Sequence, residues 1–475
     1  NIGTGAIGNV AGAGVTGATT IGHANTDSIV FSGTVYKTLG DITVVTSGGT
    51  NTSDDEITFS NASDVFIATD GNAVSLTGGD VKLGNGANLT IDTLIADTSG
   101  AVSTTGGAIT IGRRVDGTSD ENLTLDAHTA SGGGVISIAA IDSEINTLTA
   151  TAGGGITLNG NITTGNADDT PGVNITGPAV IAENTTITIT TDSGVTDGNV
   201  TFSSTISGTN GGEVENLVID SGTAAVSIQG IIGGTSTTTL GSLTINSSDG
   251  AGAETGTITL TGIGTGSVEG TTTTTVGNAN TSSLTLAGTN YKTGGTTIYE
   301  TATGNNILIT GASPTFSTSG QNITFAGGTN KLSNGSNLTV TTGAGGGNIS
   351  VASISGNSVE DVVLNAGTGS VAVGAIGDAS HAEIHDVTID GDGGITLSGD
   401  IYTAKTTGTD TNAPALVFNN LVKIDGAVTI DTDNSSDDGS ITFTTSIQGV
   451  DTSGDELTIT SGAGAITFAP IGTSQ

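Results

Sequence analysis

Leu148-Thr-Ala-Thr-Ala-Gly-Gly-Gly-Ile-Thr-Leu-Asn-Gly-Asn-Ile-Thr163 contains short runs in which apolar residues alternate with threonine, separated by a glycine triplet and an Asn-Gly pair. Period-two alternation sends side chains to opposite faces of an extended strand, and threonine, valine and isoleucine favour that conformation. Glycine and asparagine accept positive φ, so the residues between the runs read as turns. The same phrase returns as Leu123-Thr-Leu125, Ile136-Ser-Ile138, Ile187-Thr-Ile189, Val200-Thr-Phe202, Leu217-Val-Ile219, Leu243-Thr-Ile245 and Ile258-Thr-Leu260. No segment keeps a helical period of useful length. The expectation is an all-β chain.

A longer repeat lies over the short one. Ile21-Gly-His-Ala-Asn-Thr26 returns as Val276-Gly-Asn-Ala-Asn-Thr281, and Phe31-Ser-Gly-Thr-Val-Tyr36-Lys37-Thr38 as Leu286-Ala-Gly-Thr-Asn-Tyr291-Lys292-Thr293. Lys82-Leu-Gly-Asn-Gly-Ala-Asn-Leu-Thr-Ile91 matches Lys331-Leu-Ser-Asn-Gly-Ser-Asn-Leu-Thr-Val340, and Gly198-Asn-Val-Thr-Phe202 matches Gly439-Ser-Ile-Thr-Phe443. The offset drifts between 239 and 255 residues, as insertions in loops would make it do. The chain therefore reads as two copies, 1–255 and 256–475, the second matching the first only as far as Ile232-Gly233. Either the chain is an excerpt of a longer array or it is a subunit that joins head to tail.

Strands of three to five residues are short for a sandwich, and spacings such as Leu123 to Leu148 and Leu217 to Leu243 suggest coils of about 20–26 residues. A parallel β-helix, or β-solenoid, is expected, with aliphatic side chains stacked inside, threonine and aspartate outside, and about ten coils in each copy. Phenylalanine and tyrosine make up 3% of residues and tryptophan is absent, so the core should be aliphatic.

Eight Lys and Arg against 45 Asp and Glu leave a net charge of -37. Nucleic acid and anionic membrane surfaces require a basic face that eight cations cannot supply. No apolar run approaches the roughly 20 residues of a membrane helix. The lack of cysteine, methionine and most lysine, beside abundant threonine, glycine and asparagine, fits an exported bacterial or archaeal surface protein whose N-terminal segment is removed or not shown.

The stretch from Leu148 to Thr163, with its many relatives along the chain, resembles the filamentous-haemagglutinin type of right-handed β-helix and other giant β-strand-repeat surface proteins and autotransporter passengers. That resemblance implies an extracellular location and a structural or adhesive role; it identifies no catalytic residue and no receptor. Two roles follow: a structural polymer joined to itself end to end, or the stalk of an adhesin that attaches to a surface glycan or host receptor.

Candidate sites are few. Asp390 and Asp392, and Asp431, Asp433, Asp437 and Asp438, offer turn carboxylates of the kind Ca²⁺ prefers, though the sixth-place glycine and distal glutamate of an EF-hand loop are missing. His381-Ala-Glu383-Ile-His385 would align two imidazoles and a carboxylate on one strand face, a set suited to Zn²⁺; the first copy has Asn146 where the second has His385. Thr271 to Thr275 should form an outward threonine row, and Asn88, Asn161, Asn184 and Asn337 are glycan acceptors by sequence. Polysaccharide cleavage would need basic residues to hold an anionic substrate. Arg113 and Arg114 are the only arginines, and alternation should turn them to opposite faces, so no enzyme is expected. Tyr36-Lys37 and Tyr291-Lys292 are the most distinctive polar pairs and are assigned to a coil edge or an inter-subunit contact.

Overall fold

The computed structural model describes residues 15–47, 55–84, 86–94, 103–128, 132–142, 144–165, 172–192, 196–209, 215–234, 239–246, 256–333, 335–358, 360–380, 383–403, 415–433, 438–451 and 454–469. These form strands throughout, with a single three-residue 3₁₀ turn at Gly343–Gly345. The chain divides into two compact units, Asn1–Gly230 with Gly250–Gly256, and Ile231–Asp249 with Thr257–Gln475. Each is a parallel β-solenoid.

In the first unit one coil runs through Val74–Thr77, Asp80–Leu83 and Leu89–Asp92, and the next through Ile109–Ile111, Val115–Asp116 and Glu121–Ala127. The pairing is parallel and in register, Val74 on Ile109, Leu76 on Ile111, Val81 on Val115 and Leu89 on Leu123. An apolar residue thus lies on an apolar residue of the next coil, while the alternate Ser75, Lys82 and Thr90 are half-buried. Each fully buried Ile or Leu contributes about 2 kcal/mol of transfer free energy. One face is an eight-stranded sheet from Thr19–Gly22 to Ile206–Ser207. Among the described residues the first unit shows eight coils, against the ten expected, with successive rungs separated by as few as 20 residues (Ile136 to Ile156) and as many as 35 (Val74 to Ile109).

The second unit repeats the pattern. Phe316 pairs with Val340, Phe325 with Val351, Ile395 with Val422, and Ile430 with Ile459. The copies match down to their turns. Gly22 and Gly277 leave the strand with φ of +79° and +78°. The following backbone N–H of His23 donates to the Thr26 hydroxyl, and that of Asn278 to the Thr281 hydroxyl. His23 Nδ1 and Asn278 Oδ1 then accept the N–H two residues on, so an imidazole and an amide serve the same turn.

Three expectations are corrected. The core has aromatic spines: Phe31 stacks on Phe59 at 5.0 Å, Tyr291 on Phe316 at 4.5 Å, and Phe418 on Phe443 at 4.9 Å, because in-register coils bring equivalent rings together. Threonine is not only external. Thr271 and Thr274 are buried and share a 2.6 Å hydroxyl bond, while Thr342 and Thr432 turn inward at corners, where their hydroxyls satisfy the carbonyls of Gly347 and Gly439. Finally, Arg113 and Arg114 lie in a corner between strands, where alternation fails, and both reach Asp80, at 3.6 and 3.2 Å.

Candidate functional site

Of the three fully buried acids among the described residues, Glu215 lies just before Asn216–Asp220, and the other two share a recurring corner where a long strand begins. Glu121 opens Glu121–Ala127 and Glu360 opens Glu360–Asn365; both are fully buried. Glu121 Oε2 accepts the N–H groups of Thr118 and Ser119 at 2.8 and 2.9 Å, and Oε1 accepts that of Gly86 on the preceding coil at 3.0 Å. Glu360 does the same with Asn357 and Ser358, each at 3.0 Å, and with Gly335 at 3.2 Å. Burial, the largest influence on Glu121, favours its protonated form. The amides of Ser119, Thr118 and Gly86 together outweigh it and hold the pKa below the ordinary glutamate value. Sequence reading passed over both residues, although the two copies place a glutamate at the same point.

Next to this corner the two units differ. Glu121 pairs with Ile145 and Asn122 with Thr147, so Asn146 is an extra residue in a β-bulge; in the second unit Glu360 pairs with Ile384 and Val362 with Val387, and the bulge holds His385 and Asp386 against Asp361. The first unit fills the place with neutral amides. Asn122 N–H donates to Asn88 Oδ1 at 2.7 Å, and the Thr147 hydroxyl donates to Asn122 Oδ1 at 2.5 Å.

In the second unit Asn337 Oδ1 still accepts the N–H of the next coil's residue, but that residue is Asp361. His385, 2% exposed, has Nδ1 3.6 Å from Asp361 Oδ1 and 3.4 Å from Asp386 Oδ1. Asp361 is further fixed by the Asn337 amide at 3.0 Å and the Asp386 N–H at 3.2 Å, and Asp386 by the Ala415 N–H at 2.8 Å. The hydrogen bond to His385, ahead of the opposing effect of burial, holds the Asp361 carboxyl below the usual range. Among the described residues this is the one group of three or more potential ligand side chains with donor atoms within 4.8 Å of one another.

The residues singled out by sequence are placed differently. Asp390 and Asp392 meet around one side chain, both accepting from Asn420 Nδ2 at 3.0 Å. Asp431 Oδ1 accepts the N–H of Asp433, closing a local turn, and Asp433 is exposed. Asp438 Oδ2 accepts the Ala463 N–H of the next coil, as Asp197 Oδ2 accepts the Thr223 N–H in the first unit. Asp437 and His381 lie outside the described residues. Glu383 precedes the strand Ile384–Asp390 and accepts the Gly356 N–H, so it does not share a strand face with buried His385. Asn88, Asn161 and Asn337 are each engaged with a neighbouring coil.

The tyrosines of the Tyr-Lys pairs point inward. Tyr36 and Tyr291 are 3% and 1% exposed, and their hydroxyls accept the N–H of Gly33 at 2.7 Å and of Gly288 at 2.8 Å. The lysines face outward; Lys292 Nζ donates to the Ser267 carbonyl.

No family model, curated protein or solved structure matches this chain. Among the described residues no helix is long and apolar enough to cross a membrane.

Proposed function

We propose that the chain is an extracellular structural protein whose coils build a fibre, sheath or surface coat by end-to-end stacking, with kinship to the filamentous-haemagglutinin type of β-helix. One observation carries the reading: within each unit, strands follow one another in parallel and in register, aliphatic on aliphatic and ring on ring, so the edge of any coil is a template for another coil. The polar groups support it too. Glu121, Glu360, Asp197 and Asp438 are committed to backbone N–H groups that hold loops and turns in place, a scaffold's use of carboxylates.

Negative-stain microscopy and fibre diffraction of the purified chain, with Ca²⁺ and with chelator, test the proposal. The expected result is filaments that lengthen with concentration and show an axial repeat of about 4.8 Å. A monodisperse species at every concentration and salt would overturn it. If that species also bound a glycan or host surface, the adhesin stalk would replace the polymer.

A further inference from the structure

We propose that Asp361, His385 and Asp386 form a site for one divalent transition-metal ion of the Zn²⁺ class, joining two successive coils of the second unit. The bulge makes it possible. A regular strand would turn His385 and Asp386 to opposite faces, whereas here Ile384 and His385 are both buried and Asp386 lies beside the imidazole. The separations of 3.4 and 3.6 Å from His385 Nδ1 to the two carboxylate oxygens match a metal polyhedron: ligand bonds of about 2.0–2.2 Å at a tetrahedral centre place neighbouring donors about 3.3–3.6 Å apart. Binding needs Nδ1 free of hydrogen, so any proton on Nδ1 leaves as the ion enters.

The surroundings are those of a supported site. Asn337, the Asp386 N–H and the Ala415 N–H already orient the carboxylates, as outer partners orient metal ligands. Asp361 and Asp386 side chains are 39% and 47% exposed, so an ion can enter and a water can complete its shell. Imidazole with two carboxylates suits Zn²⁺, Ni²⁺ or Cu²⁺, whereas Ca²⁺ takes oxygen ligands. The first unit is the internal control: Asn122, Asn146 and Thr147 occupy the same bulge with no imidazole and no carboxylate.

The test uses the full chain stripped of metal, titrated with Zn²⁺ or Co²⁺ in excess Ca²⁺ to occupy scattered surface carboxylates. The comparison is the variant Asp361→Asn, His385→Asn, Asp386→Thr, which copies the first unit's residues into the second and so keeps a bulge the fold already tolerates. One equivalent should bind the wild type with a raised melting temperature and a Co²⁺ visible spectrum, and affinity should fall by about tenfold or more in the variant. Equal binding by both proteins would overturn the proposal. X-ray absorption of the Zn²⁺-loaded wild type decides the matter even if the variant misfolds: the outer-shell scattering of one bound imidazole ring supports the site, and its absence rejects it.

Discussion

Tyr299 is fully buried, stacked on Phe325 at 5.2 Å and edge-on to Phe316 at 5.5 Å, and among the described residues its hydroxyl has no hydrogen-bond partner. The matching position of the first copy is Val44, also buried. Removing an unpartnered buried hydroxyl recovers its desolvation cost, so Tyr299→Phe should stabilise the second unit by about 1 kcal/mol, read from amide exchange of its core strands. Burial, ahead of the nearby Tyr291, raises the Tyr299 pKa well above its ordinary value. The sign follows: the contribution is complete below the unfolded tyrosine pKa of about 10 and is lost as pH rises through the folded value. Alkaline melting should therefore be delayed in Tyr299→Phe. Glu121 behaves oppositely. Its folded pKa is depressed, so its contribution is complete above the unfolded glutamate value of about 4.3 and is lost as pH falls through the folded one. Glu121→Gln should flatten the acid limb of the urea midpoint, and an equal limb in both proteins would contradict the assignment.

A strand in this fold is short, and its corner matters as much as its face. Gly78 and Gly327 leave equivalent strands with φ of +97° and +79°, and a Cβ at either would run into the preceding coil, at the Thr46 and Thr301 carbonyls. Gly327→Ala should cost about 2 kcal/mol or more and accelerate exchange locally at Thr329–Leu332. The aromatic spine makes a second demand. Phe316 contacts Tyr291, Tyr299 and Phe325 with ring centroids between 4.5 and 5.5 Å. Truncation to Phe316→Ala leaves a cavity between coils and should cost about 3–5 kcal/mol, measured by denaturant titration of the second unit.

With a net charge of -37 the chain repels copies of itself. Screening at physiological salt acts over about 8 Å, so any end-to-end joining should speed up steeply as NaCl is raised at neutral pH. Light scattering that is independent of salt would place joining elsewhere than between like-charged chains. Unfolding should not be two-state, because each coil touches only its neighbours and stability adds coil by coil. Exchange rates should then differ between coils in both units.

Alternation in phrases such as Ile136-Ser-Ile138 and Ile156-Thr-Leu158 determined the strands, their inner faces and the parallel stack, since period-two geometry is local and every rung repeats it. Colinear repetition likewise determined the equivalence of the two copies. The corners needed the tertiary structure, because alternation stops there: it turned Tyr36 and Tyr291 inward, brought Arg113 and Arg114 to one aspartate, and committed Glu121 and Glu360 to loop amides. The meeting of Asp361, His385 and Asp386 also lay beyond the sequence, because it depends on a bulge and on a register between coils more than twenty residues apart.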